Sequence, residues 1–191
     1  MAGSQPMLYY WDTCLFISWL LKSGDKSRKK EELAEIERQI ELFDKKLLHI
    51  ATSVLSVTEA LECSVGKLGR DKFLQLRESP NFHLYPVNSH IADLAHDIRN
   101  YYIGVNDDFN TFTTPDAIHL ATAIFCDANK MYTFDGVCNT PPGVAKRKTK
   151  DRKILSVNGS VAGVHSLTIE RPWYEPPEPP RNLFSNGDTK P

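Results

Sequence analysis

Four carboxylates stand in apolar surroundings that normally exclude charge. Asp12 lies in YYWDT, Glu59 in SVTEALE, Asp116 in TPDAIHLATA and Asp135 in MYTFDG. An unpaired charge buried among apolar side chains is costly, so each intrusion asks for a reason. Their spread along the chain suggests that folding gathers them into one cluster. Crowded carboxylates repel unless something positive sits between them, and hard divalent cations prefer oxygen ligands. Together these facts point to a Mg²⁺ or Mn²⁺ site that hydrolyses phosphodiesters.

Each acid also has a plainer reading. Asp116 in a first helical turn could simply complement the helix dipole, worth about 0.3–1 kcal/mol. Glu59 could be a solvated helical residue, with Glu62 a competing acid one turn away. Asp135 before Gly136 could be a turn residue. Asp12, between Trp11 and Cys14, is the hardest to place on a surface. His119, three residues after Asp116, could brace the acids or be a hydrogen-bonded core histidine. The other histidines show no metal-ligand spacing, and no nucleophile-elbow sequence occurs.

The elements that must position these residues alternate. MLYYW reads as a buried strand ending at Asp12, followed by a helix over Thr13 to Lys22. Apolar residues at three- and four-residue steps make Glu31 to Lys46 an amphipathic helix. LLHIATS predicts a second strand, and Val54 to Lys67 a helix carrying Glu59. Gly66 and Gly69 suggest a stop before another helix from Asp71 to Glu78. FHLYPV predicts a third strand, then a helix from Ser89 to Tyr102 capped by Asn88 or Ser89. Thr114 is the expected cap of the next helix, with Pro115 in its first position. KMYTFD predicts a fourth strand and RKILSV a fifth. This alternation implies an α/β domain, a three-layer α/β/α arrangement with a mostly parallel central sheet. Sites in such sheets form beyond the carboxyl ends of the strands, where all four acids would fall.

Composition sets the outer limits. A chain of 191 residues, 41% apolar and 25% charged, has the balance of one globular domain with appendages. Net charge is −1, so nucleic acid would have to be met by a local patch, of which Lys146, Arg147 and Lys148, with Arg28, Lys29 and Lys30, are the candidates. Four widely spaced cysteines without CxxC read as reduced, and Cys14, Cys63 and Cys126 as small core residues. Reduced thiols and the lack of a secretory pattern point to the cytoplasm, and no apolar run is long enough to span a bilayer. The aromatics Tyr9, Tyr10 and Trp11 read as core rather than as a stacking platform. RPWYEPPEPPRNLFSNGDTKP is too rich in proline to continue a sheet and reads as an extended arm.

With these residues in order, the chain resembles the PIN-domain nucleases, and among them the VapC-type toxin ribonucleases. YYWDTCLF matches the early strand-terminal Asp, SVTEALE the mid-chain helical Glu, TPDAIHLATAI the helix-starting Asp, and MYTFDG the last. The TPDAIHLATAI segment is the most specific of the four. The resemblance covers residues 7–156, a PIN-like nuclease domain, and leaves 157–191 as a proline-rich C-terminal extension. It implies a metal-dependent endoribonuclease in which Asp12, Asp116, Asp135 and Glu59 are catalytic and hold Mg²⁺ or Mn²⁺. Thr13, Thr133 and His119 would support them from behind. It also implies an RNA substrate, a homodimer, and a small antitoxin whose segment blocks the acidic pocket. An RNA-processing or DNA-acting nuclease of the same fold, or a silent scaffold binding RNA or protein, is the alternative.

Overall fold

The structure is a computed structural model that describes residues 6–21, 28–62, 65–105, 112–136 and 154–174, the side chains of residues 62, 104 and 105 aside. Lys146, Arg147, Lys148, Cys63, Cys138 and the tail beyond Tyr174 lie outside those residues. The described chain runs β1 (Met7–Trp11), α1 (Thr13–Leu21), α2 (Lys30–Asp44), β2 (Leu48–Ser53), α3 (Leu55–Glu62), α4 (Gly66–Arg77), β3 (Phe82–Tyr85), α5 (Ser89–Val105), α6 (Thr114–Phe125), β4 (Lys130–Tyr132) and β5 (Ile169–Glu170). The strands form one sheet in the order β3-β2-β1-β4-β5, and every pairing is parallel. The expected mixed α/β architecture with a parallel sheet is the one found.

Alternation along the strands builds the layers. Tyr9 and Trp11 of β1 join Leu48, Ile50 and Phe82 on one face, with Phe16 of α1, Phe43 of α2 and Phe73 of α4. Tyr10 turns to the other face, where Ile91 and Ile98 of α5 and Leu120 of α6 cover the sheet. The aromatic run YYW is therefore core, as its composition suggested. After β1 the chain builds β2 and β3 on one side, and later returns to place β4 on the other. Beside β1 the strand order reverses, and a crevice at the carboxyl edge is the usual consequence.

Four expectations shift. The described part of RKILSV, Ile154–Val157, is a 3-10 turn instead of a strand and buries Ile154 and Val157, three residues apart. That spacing suits a three-residue turn, whereas a strand would bury alternate positions. The fifth strand is Ile169–Glu170, so the sheet takes in residues past 156. Helix α4 starts at Gly66, with φ of 67°, and runs through Gly69. A Cβ at Gly69 would stand 3.0 Å from Val65 Cβ and 3.7 Å from Leu20 Cβ, so this glycine permits close packing rather than ending a helix. The cap of α6 is Thr113, one residue before the expected Thr114. Among the described residues, no helix is long and apolar enough to cross a membrane.

Between the sheet and α2 runs a buried polar chain. Trp11 Nε1–H donates to Gln39 Oε1 at 2.7 Å, and Gln39 Nε2–H donates to Glu35 Oε1 at 2.8 Å. Arg38 grips the same Glu35 with two bonds. Replacing Gln39 by Ala leaves the buried indole N–H without this acceptor, a loss of about 1–3 kcal/mol. Urea unfolding of Gln39→Ala checks it: an unchanged midpoint at unchanged m-value would mean that the indole is satisfied elsewhere.

Candidate active site

Strand β1 ends at Trp11 and delivers Asp12 to the carboxyl edge, 7% exposed. A charge so placed needs donors, and three converge on it. Thr13 N–H donates to Oδ1 at 2.6 Å, while Thr133 Oγ1–H at 2.6 Å and Cys14 Sγ–H at 3.2 Å reach Oδ2. Burial, and after it the Asp12 charge, pushes the Cys14 thiol up, which keeps its proton on sulfur as donor. Cys14 in turn accepts the Phe134 N–H at 3.2 Å. Asp12 thus binds β1 to the segment after β4, through groups from α1 and residues 133–134.

Glu59 approaches from α3. Thr13 Oγ1–H donates to its Oε2, and Ser56 Oγ lies 3.0 Å from the same hydroxyl. His119 Nε2 stands 3.2 Å from Glu59 Oε2 and 3.7 Å from Asp12 Oδ1, so one imidazole lies between two carboxylates. Its other nitrogen, Nδ1, meets Tyr10 OH at 2.7 Å, and that oxygen accepts Ser53 N–H at 3.1 Å. His119 is 2% exposed, with its ring set between Tyr10 and the two carboxylates.

Asp116 occupies the first turn of α6. Its Oδ2 accepts Thr113 N–H at 2.8 Å, and its own N–H donates to Thr113 Oγ1 at 3.3 Å, a reciprocal cap. Asp116 precedes His119 by one turn and its charge reaches that imidazole. Asp135 follows β4, and its N–H donates to Thr133 Oγ1 at 2.9 Å, the hydroxyl that holds Asp12. The structure thus brings Asp12, Thr13, Glu59, His119 and Thr133 into direct contact, and ties Asp135 to them through its backbone. Asp116 is set beside them on α6 with its carboxylate engaged in the cap. Tyr10, Cys14 and Ser56 complete the network unannounced by sequence. Only the spacing of Cys14 two residues past Asp12, and of Ser56 three before Glu59, could have hinted at two of them.

Oxygen donors of this type suit Mg²⁺ or Mn²⁺, which take one or two carboxylates and keep several waters. Asp12 Oδ1 accepts the Thr13 N–H among the described residues, with His119 Nε2 3.7 Å away. Among the described residues, no three His, Cys, Asp or Glu side chains stand close enough to hold a metal ion. The donor chemistry fits a hard cation with few protein ligands, and a preassembled three-ligand cage is not what it offers.

No family description and no curated protein matches the chain. Solved structures similar to it include VapBC2 of Rickettsia felis bound to a promoter DNA fragment, at 14% identity over 66% of this chain and 87% of that one, with a TM-score of 0.48. A toxin–antitoxin complex of Klebsiella pneumoniae is 20% identical over 65% of this chain and 84% of its own, with a TM-score of 0.44. VapC20 of Mycobacterium tuberculosis, a sarcin-ricin loop cleaving toxin, is 19% identical over 67% and 90%, with a TM-score of 0.46.

The pair Glu59–His119 makes the site sensitive to pH. Burial alone would lower the His119 pKa, but the hydrogen bond to Glu59 and the charges of Asp12, Glu59 and Asp116 outweigh it and raise it above 6.5. The hydrogen bond from His119, helped by Thr13 and opposed by burial, holds Glu59 below 4.5. Stability from the raised histidine is complete below its ordinary value and is lost as pH rises through the raised one. Stability from the lowered glutamate is complete above its ordinary value and is lost as pH falls through the lowered one. The difference in unfolding free energy between wild type and His119→Gln is therefore largest at about pH 5–6, and shrinks on both sides. Denaturant titrations across pH check this; a difference that stays flat would assign His119 to packing alone.

Proposed function

We propose that this chain is a Mg²⁺- or Mn²⁺-dependent endoribonuclease that hydrolyses RNA phosphodiester bonds. What carries the reading is one hydrogen-bonded network at the carboxyl edge of a parallel sheet. It runs from Asp135 N–H through Thr133 to Asp12, and by Thr13 to Glu59, which His119 also reaches. Sequence-distant acids are drawn together there at a cost that a merely structural domain has no reason to carry. Asp12 and Asp116 would be the direct cation ligands, with Asp135 binding through oxygen or water and Glu59 holding a second cation or orienting water. When bound, the cation neutralises the carboxylates and stabilises charge developing on the phosphate as water attacks in line.

The remaining work falls to the chain itself. Thr133 and the Thr13 N–H fix both Asp12 oxygens, so that carboxylate meets substrate without reorganising. Glu59, whose side chain is one-third exposed, would orient the attacking water, with Thr13 and His119 holding its Oε2 in place.

Likeness to VapC-type toxins supports two partners on the same reading. One is a second copy of this chain, as a homodimer. The other is an antitoxin whose basic side chain enters the pocket and pairs with the carboxylates. The lack of a three-ligand set among the described residues favours one rival, a silent scaffold of the same fold that binds RNA or protein.

One assay separates them. Wild type should cleave single-stranded RNA when Mn²⁺ is added and not in chelator, while Asp12→Asn and Asp116→Asn lose all measurable cleavage and bind Mn²⁺ more weakly by calorimetry. Thr133→Val, which removes a donor to Asp12, should cost roughly 10–100-fold in metal affinity or activity. Equal cleavage by wild type and Asp116→Asn, after contaminating nuclease is removed, would sink the assignment; no cleavage by either would leave the scaffold.

A further inference from the structure

We propose that Arg28, Lys29 and Trp173 form a landing platform for single-stranded RNA, leading into the acidic site; this rests on the ribonuclease reading and names the path of its substrate. The platform begins at Phe134, the residue before Asp135. Arg28 lies over the Phe134 ring with its guanidinium carbon 3.9 Å from the centroid, and Arg171 lies over the same ring at 5.3 Å. The next residue, Lys29, places its Nζ 5.1 Å from the centroid of Trp173. Asp135 and Phe134 are chain neighbours, as are Arg28 and Lys29, and the two ring contacts join these pairs to each other and to Trp173.

Local structure fixes this order. Arg28 Nε–H donates to Ser18 Oγ at 3.1 Å, which ties it to α1. Lys29 is the residue that caps α2, its N–H donating to Glu32 Oε2 at 2.8 Å. The strap after β5 is pinned across that same helix start. Arg171 bonds Glu32 at 2.5 Å, and Tyr174 N–H donates to Glu31 O at 3.1 Å. These anchors set Trp173 with 45% of its surface exposed, a large indole held beside a lysine.

Charge agrees with a polyanion as occupant. Glu32 and Glu35 are buried and bonded to Arg171 and Arg38, whereas Lys29 and Lys30 are exposed. Neighbouring cations beside an exposed ring are what a single strand uses, with phosphates on the cations and a base stacked on the aromatic face. A duplex hides its base faces and would gain nothing from Trp173. The acids alone would repel a phosphate chain, so a cationic approach beside them has a function.

The test uses the full chain in EDTA, which suspends cleavage, with fluorescein-labelled ten-nucleotide oligouridine and oligoadenosine RNAs. Trp173→Ala should weaken binding roughly 5- to 150-fold, and Trp173→Tyr should restore most of it. Arg28→Ala and Lys29→Ala should each lower the slope of log Kd against log salt by about 0.7. A second measurement needs no variant. Trp11 and Trp19 are buried, so acrylamide quenching of wild type reports mainly Trp173, and saturating RNA should shield it. Wild-type affinity in Trp173→Ala, unshielded fluorescence, or equal displacement of the RNA by polyglutamate would overturn the platform. Loss of the platform with cleavage intact in Mn²⁺ would leave the nuclease reading standing; binding as expected without cleavage would remove the nuclease and keep the surface.

Discussion

The site depends on keeping the Asp12 carboxylate charged inside the protein. At 7% exposure it has little water to solvate it, and donors from Thr13, Cys14 and Thr133 take that place. Those donors come from the start of α1 and from the segment after β4, which meet only because β1 and β4 pair in parallel. Asp12 N–H closes the contact by donating to Tyr132 O at 3.1 Å. A buried charge held this way makes sheet register and site geometry one quantity. A slip of one residue between β1 and β4 would turn Thr133 to the other face and strand the carboxylate.

Around that point the protein keeps two kinds of interior. The face carrying Trp11, Phe16, Phe43, Phe73 and Phe82 is aromatic, with the Trp11–Gln39–Glu35 chain as its polar thread. The opposite face, under α5 and α6, is built from smaller residues, with Ala117, Ala121 and Ala123 fully buried. Small side chains let α6 lie close to the sheet, and that closeness carries His119 to Tyr10, Glu59 and Asp12. The histidine is thus buried in the core while its two ring nitrogens meet Tyr10 and Glu59.

The same edge is also where cations collect. Arg28 and Arg171 lie over the Phe134 ring, directly before Asp135, with Arg28 also held by Ser18 of α1 and Arg171 by Glu32 of α2. An aromatic ring adjoining the acidic network in the chain thus carries two guanidinium groups.

Local pattern was enough for the presence and order of the helices and four of the strands, though not for the boundary between α3 and α4, because apolar periodicity is a property of neighbours in sequence. The early acids and TPDAIHLATA stood out for the same reason: a charge in an apolar run is visible without a structure. Where the pattern was short or ambiguous, tertiary packing decided. Ile154 and Val157 bury as a turn, the sheet closes with Ile169–Glu170, and Gly69 serves a helix contact that its neighbours could not announce. The donors to Asp12, the Tyr10–His119–Glu59 line and the approach of Trp173 to Lys29 join residues far apart in the chain. Contacts of that range are set by strand order and helix packing, so only the folded chain could decide which acids are joined by hydrogen bonds and which, like Asp116, are also used to cap a helix.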